Sequence, residues 1–339
     1  MKVLVTGSAG FIAGYVVQEL LDHGHEVVGI DDLSKYGPVE KSYDAHPRYT
    51  FVRGDAKDVA LMKELVADCD QVLAGAAMIG GISYFHTHAY DLLAENERII
   101  AATFDAAIWA HRERRLQKVN VLSSSMVFEA ATEFPTPEGA ERTSPPPMST
   151  YGFQKLACEY YAQGAREQYG LPSTVIRPFN CVGVGERRAL TDVEIMSGNV
   201  ALAMSHVVPD LVQKVARGQD PLHILGGGEQ VRHYTYGGDL ARGIRLCMEH
   251  PAALNEDFNL STPVGHTVLE LAAAIWARFH PGEPLRWVSD RPFKYDVQRR
   301  VPSTEKARRL LGFEATTPLE AILDEVVPWV TEQLRLGTI

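Results

Sequence analysis

The 339-residue chain is 45% hydrophobic and 22% charged, ordinary for a soluble protein with room for one large domain or two smaller ones. Its formal charge of -10 argues against a nucleic-acid groove or an anionic membrane surface as the main partner, but not against an anionic ligand held by backbone N–H groups and a few arginines. Four scattered cysteines (Cys69, Cys158, Cys181, Cys247), no leader segment and no membrane-length apolar run leave no expectation of a disulfide framework or a metal site, and make a cytoplasmic enzyme the simplest class.

Lys2 to Thr6 is a β-branched run ending in glycine, the pattern of a buried parallel strand. Gly7-Ser8-Ala9-Gly10-Phe11-Ile12-Ala13-Gly14 follows and leads into an amphipathic helix, Tyr15 to His23. A second strand, Glu26 to Ile30, closes on Asp31-Asp32. Each part of this strand–loop–helix–strand–acid unit suits a dinucleotide. Gly7 permits the tight turn, and Gly10 lets the backbone approach a pyrophosphate. The backbone at Phe11 and Ile12 offers N–H groups to the phosphates. Asp31 stands about 20 residues on, where a carboxylate accepts hydrogen bonds from the adenosine ribose and repels a 2′-phosphate, which favours NAD over NADP.

The alternation continues. Tyr49 to Asp55 is a third strand, placed to reach the adenine through Asp55 and the backbone of Ala56. Asp55 is equally suited to cap a helix from Asp58 to Ala67. Gln71 to Ala77 is a fourth strand whose small residues, Ala76 and Ala77, allow a cofactor to come close; Asn96 on the next helix reads as an exposed polar residue. Val119 to Leu122 is a fifth strand running into Ser123-Ser124-Ser125. Repeated strand–helix–strand units imply a doubly wound parallel sheet, whose ligands bind beyond the carboxyl ends of the strands. Tyr151 and Lys155 then share one face of a helix, Tyr151 to Tyr169. An ammonium beside a phenol favours the phenolate, so Tyr151 is a candidate general base.

After the sixth strand, Val175 to Pro178, residues 180–205 show no sustained period and read as a substrate-binding insertion. Helices are expected at Val207 to Arg217, Leu240 to His250 (capped by Asp239), Thr267 to Phe279 and Ser303 to Leu311. Leu222 to Leu225 reads as a strand whose backbone can meet a base, and Asn255 to Ser261 as a strand returning to the sheet. The expected domains are 1–178, a dinucleotide-binding Rossmann unit, and 179–339, a smaller α/β substrate unit, with a segment near 233–262 rejoining the first sheet.

Thr6-Gly7-x-x-Gly10, the Ala76-Ala77 strand end, the serine strand and Tyr151-x-x-x-Lys155 together resemble the extended short-chain dehydrogenase/reductase superfamily. Within it the whole chain is similar to the nucleotide-sugar epimerase/dehydratase group, through Arg177-Pro178-Phe179-Asn180 and Arg232-His233-Tyr234-Thr235-Tyr236. One departure is the third loop glycine, which falls on Ala13 with Gly14 beside it; alanine is small enough for that packing. The resemblance implies NAD as cofactor, with Lys155 on the nicotinamide ribose and Tyr151 exchanging a proton with a sugar hydroxyl. Ser124, with Ser125 as the alternative, would hydrogen-bond the same oxygen. It further implies a nucleotide-diphosphate sugar held by Asn180, His206, Arg232 and one of Arg299 and Arg300, with Arg299 preferred, and a homodimer formed through Leu92–His111 and Tyr151–Tyr169.

The same stretch selects among reactions. Dehydratases of the group carry an Asp–Glu pair where this chain has Ser125 and Met126, so water elimination is not expected. Enzymes that epimerise next to a keto group, such as GDP-fucose synthase, carry a cysteine at Met126, and a thioether cannot exchange a proton. Met78-Ile79-Gly80-Gly81-Ile82 and Ser205-His206 do resemble those enzymes, with His206 as their acid. The resemblance therefore implies first a 4-epimerase of the UDP-glucose/UDP-galactose kind, and second a fucose-synthase-like epimerase-reductase. A non-catalytic dinucleotide-binding regulator would have no use for the full set Ser124, Tyr151 and Lys155.

Overall fold

The structure, a computed structural model, describes residues 1–80, 87–190, 195–202, 206–291 and 297–339. Gly81, Ile82 and Ser205, quoted above as parts of motifs, lie outside these residues. Strands β1 (Lys2–Thr6), β2 (Glu26–Asp31), β3 (Tyr49–Arg53), β4 (Gln71–Ala74), β5 (Lys118–Leu122), β6 (Ser173–Pro178) and β7 (Asp257–Leu260) form one parallel sheet. Their order is β7-β6-β5-β4-β1-β2-β3. β1 and β4 are neighbours, with Val3 opposite Gln71, although β2 and β3 intervene in sequence. The chain reverses its direction of travel across the sheet at this point, which opens a crevice at the carboxyl ends of β1 and β4.

Helices cover both faces, which is why the central strands read as unbroken apolar runs and why every residue of β4 is buried. On one face, α1 (Phe11–Asp22) and α6 (Gly237–Glu249) pack Val16, Leu20, Leu240 and Ile244 against Val5 and Phe258. On the other, α2 (Val59–Val66), α3 (Ala89–Glu113) and α4 (Thr150–Tyr169) bring Met62, Phe104 and Ala162 onto Leu4, Val72 and Val121. A separate core, including Val212, Ile224, Leu271 and Leu323, joins α5 (Val207–Ala216), α7 (Val268–Phe279) and α9 (Leu319–Leu336) to the strand Leu222–Leu225. The short helix α8 (Glu305–Leu311) packs Ala307 and Leu311 into the α1–α6 core.

Two differences from the expected elements have clear causes. Helix α1 starts at Phe11 rather than Tyr15, because Gly10 has an extended backbone and serves as its N-cap. Helix α9 carries Pro328 in its interior, which disguises it in sequence; the helix holds because Ile322, Leu323, Val326 and Val330 bury one stripe.

Candidate active site

Thr6 closes β1 by tying it to β4. Its Oγ1 donates to Leu73 O at 3.3 Å and accepts the N–H groups of Gly75 and Ala76, each at 3.0 Å. Gly7 follows with a φ of +73°, and a Cβ there would lie 2.8 Å from the Cα of Ala76. No other residue fits that turn without displacing the end of β4. Gly10 places no side chain over the start of α1, so among the described residues the first-turn N–H groups at Phe11 and Ile12 have no side-chain acceptor. At the end of β2, Asp31 accepts the Ala9 N–H at 3.1 Å and the Leu33 N–H at 2.8 Å. Burial raises its carboxyl pKa above the ordinary value, against the pull of those two N–H groups. Asp32 is exposed and accepts from the N–H and hydroxyl of Ser34 at 2.9 and 2.6 Å.

Asp58, not Asp55, caps α2, accepting from Ala60 and Leu61 N–H at 3.0 and 3.1 Å. Asp55 is exposed at the end of the β3 segment, next to the buried Ala56. Asn96 is not the exposed residue that helical spacing suggested. It is 2% exposed, accepts the Met78 N–H at 2.6 Å and donates to Met78 O at 2.9 Å, which fixes the backbone just beyond Ala76-Ala77. A cradle that a side chain at residue 7 would fill, an uncapped helix start and a carboxylate at the end of β2 together fit a dinucleotide.

The serine strand and α4 meet at the next strand ends. Ser149 caps α4 by accepting the Gly152 N–H at 3.0 Å, and Glu129 holds Ser149 through its N–H at 2.8 Å. A Cβ on Gly152 would lie 2.7 Å from Pro147 Cβ and 2.8 Å from Met126 O, so this glycine lets the helix settle onto the serine loop. Tyr151, buried at 7% exposure, packs with Met126, Leu92 and Met78 in one small cluster. Lys155 Nζ donates to Leu122 O at 2.9 Å, at the end of β5. Ser124 Oγ accepts the Met126 N–H at 3.2 Å, and Ser125 is buried. Ser123 turns the other way: its hydroxyl donates to Glu159 at 2.5 Å. Glu159 in turn takes two bonds from Arg177, at 2.8 and 2.6 Å. Arg177, 1% exposed, also donates to Asp257 at 2.6 Å, and Lys306 meets Asp257 at 2.5 Å. Burial alone would lower the Arg177 pKa, but Glu159, Asp257 and Glu141 together hold it above its ordinary range.

The second half of the chain reaches the same place through Asn180. This residue has a φ of +39°, and its Oδ1 accepts from Arg300 Nη1 at 3.3 Å while Arg300 Nη2 donates to Met126 Sδ at 2.9 Å. Arg299 instead lies over the Phe134 ring, 5.0 Å from its centre. It is thus Arg300, not Arg299, that the structure sets against Asn180, with the bridge between Val231 and Arg299 turning it that way. Arg232, on the strand Val231–Arg232, shares this neighbourhood, since both arginines act on the buried phenol of Tyr234. His206 precedes α5 half-exposed and bonds through Nδ1 to the buried Glu186, a partner that sequence spacing did not reveal. Asp239 does not cap α6. It accepts the Thr317 N–H at 2.9 Å and pairs with Arg242, anchoring the approach to α9.

Tyr15 of α1 joins the two halves. Its ring fills the space beside Gly183 and Gly237, and its hydroxyl accepts the Val184 N–H at 2.8 Å. The site thus gathers the ends of β1, β2, β4, β5 and β6 around a phenol and an ammonium on one helix face, a serine hydroxyl and two arginines. Such a set can move a proton to and from a sugar-like hydroxyl and hold a polyanion.

Residues 3–261 match the NAD dependent epimerase/dehydratase family. The chain is 26% identical to a UDP-glucose 4-epimerase of Lactobacillus helveticus, over 96% of this chain and 95% of that one. It is 30% identical to a putative GDP-L-fucose synthase 2 of Oryza sativa subsp. japonica, over 94% and 83%. Among solved structures it resembles the UDP-glucose 4-epimerase of Thermotoga maritima with UDP-glucose, with a TM-score of 0.80, 27% identity and coverage of 98% and 100%. The chain belongs to the NAD dependent epimerase/dehydratase family and is an NAD-dependent enzyme.

Proposed function

We propose that this enzyme inverts C4 of a nucleotide-diphosphate sugar through a transient 4-keto sugar. The observation that carries this reading is the packing of Tyr151 against Met126, with Ser124 and Lys155 beside them and no carboxylate or thiol at residues 125 and 126. Elimination and epimerisation beside the keto group both need a proton-exchanging group there, whereas C4 inversion does not. Tyr151 takes the hydroxyl proton and later returns it, Ser124 steadies the same oxygen, and Lys155 holds the ribose nearest the reacting carbon. NAD, when bound, supplies the hydride acceptor and donor at C4. Gly7, Gly10, the N–H groups at Phe11 and Ile12, Asp31, Asp32, Asp55, Ala56, Ala76 and Ala77 would hold it. Asn180, Arg232, Arg300 and His206 would hold the diphosphate and sugar.

Replacing Arg300 with Ala should raise KM for the nucleotide sugar by about tenfold or more, the loss of a charge-assisted hydrogen bond to phosphate. Arg299→Ala should change KM less than about threefold. Steady-state kinetics of the pair decides the assignment, and equal effects would undo it.

The same reading treats 1–178 as the dinucleotide-binding domain and 179–339 as the sugar-nucleotide domain, in a cytoplasmic homodimer. Tyr90, Phe153 and Tyr160 on α3 and α4 are 77%, 49% and 63% exposed, which supports a second copy covering that face. A keto-sugar epimerase-reductase is the second reading, favoured by the rice relative and by the His206–Glu186 pair. Denaturing the purified protein and identifying the released dinucleotide separates the two. Bound NAD, followed by C4 inversion in a panel of nucleotide sugars led by UDP-glucose, supports the epimerase. An empty protein that consumes NADPH with a 4-keto sugar overturns it.

A further inference from the structure

Lys41 and Arg187 come from opposite halves of the chain, one from the loop after β2 and the other from the loop after Asn180. Lys41 lies beside α1, and Arg187 is close enough for its charge to act on it. The Lys41 ammonium rests on Gly14, where a Cβ would lie 3.3 Å from Nζ, next to the uncapped first turn. Burial, and after it the neighbouring Arg187 charge, pushes this ammonium below its ordinary range. The carboxylates nearest Lys41 are already engaged with backbone. Asp44 accepts the Lys41 N–H at 2.8 Å, and Asp31 accepts from Ala9 and Leu33. Arg187 Nε is buried with no hydrogen-bond partner among the described residues. The two loops are also joined through their backbones, with Leu190 N–H donating to Lys35 O at 2.8 Å. Arg187 also borders a cavity of about 460 Å³ lined by Tyr36, Arg188, Ala189, Leu190 and Thr338.

Two cations brought together and partly buried are unfavourable unless an anion sits between them. The open N–H groups of the adjoining helix start select phosphate among anions. We propose that Lys41 and Arg187 together grip a phosphate of the bound dinucleotide, so that the loop from the substrate half straps the cofactor onto the glycine loop. This deepens the dinucleotide reading and rests on it. A strap of this kind suits a reaction that returns its cofactor to the starting state each turnover, because nothing then requires the cofactor to leave.

The test compares wild type, Lys41→Met, Arg187→Gln and Arg187→Lys, each loaded with NAD and then chased with an excess of isotopically labelled NAD. Each neutral substitution should speed NAD release by at least about tenfold, the loss of one charge-assisted hydrogen bond. Arg187→Lys should retain most of the wild-type residence time. The melting temperature of the NAD-stripped protein should not fall in any of the variants, since each neutral substitution relieves a repulsion there. Wild-type release rates in both neutral variants would overturn the strap, as would a matching loss of stability in the stripped protein. A wild type that takes up no NAD would overturn the underlying dinucleotide reading instead, so the two failures are distinguishable.

Discussion

Tyr151→Phe should lower kcat by about 10²- to 10⁴-fold, the range expected when a positioned acid–base group is lost. The substitution removes one oxygen and leaves the ring in its cluster with Met126, Leu92 and Met78, so the fold and the bound NAD should both survive. KM should move little, because the phenol acts on the reacting hydroxyl while the arginines carry most of the affinity. Single-turnover kinetics on the NAD-loaded variant, together with its NAD content after denaturation, gives both numbers. Retention of more than about a tenth of wild-type kcat would remove Tyr151 from the role of base. Loss of NAD along with activity would show that the residue serves the cofactor site rather than the proton.

Arg177→Met should be the most damaging single change to stability, costing about 3–5 kcal/mol. The guanidinium spans α4, β6 and β7 through Glu159 and Asp257, and a thioether leaves Glu159 with the Ser123 hydroxyl and Asp257 with Lys306 but removes the buried charge that joins them. The pH dependence is diagnostic. In the native protein Asp257 is held below its ordinary pKa of 3.8: burial works against this, but Arg177 and Lys306 outweigh it. That contribution is therefore present above pH 3.8 and fades only as pH falls through the lower, folded value. In the variant only Lys306 still opposes desolvation at Asp257, so its folded carboxyl pKa rises from the native value. The stabilisation lost with Arg177 is then greatest at neutral pH and is relieved by protonation in acid, so the deficit relative to wild type should shrink between about pH 7 and pH 4. Urea titrations at those two pH values test this. A deficit under about 1 kcal/mol, or one that does not change with pH, would mean that the cluster contributes little.

Much of this site could be read from the sequence because it depends on local order. The β1–glycine loop–α1–β2 unit is contiguous, and strands covered on both faces must be apolar throughout, so Lys2–Thr6 and Gln71–Ala74 stand out. Tyr151 and Lys155 are likewise fixed by helical spacing. What remained hidden depends on tertiary partners. Asn96 looks like any polar residue of α3 until Met78 is found against it. Arg299 and Arg300 are equivalent in sequence, and only the pairing of their segment with Val231 decides which faces Asn180. Glu186 gave no signal, because His206 lies twenty residues away across a segment with no period.

Tyr15 also bears on how such a chain can change. Its ring occupies the volume that a side chain at residue 183 or 237 would need. The three positions are far apart in sequence, yet they share one volume: a bulky residue at 15 requires glycine at both others, and a larger residue at either requires a smaller one at 15. One of the three sits on the helix that follows the glycine loop and the other two border the substrate half. A change at residue 183 or 237 is thereby held in step with residue 15, and a second half transplanted from a relative with a side chain at either position would fit only if residue 15 travelled with it.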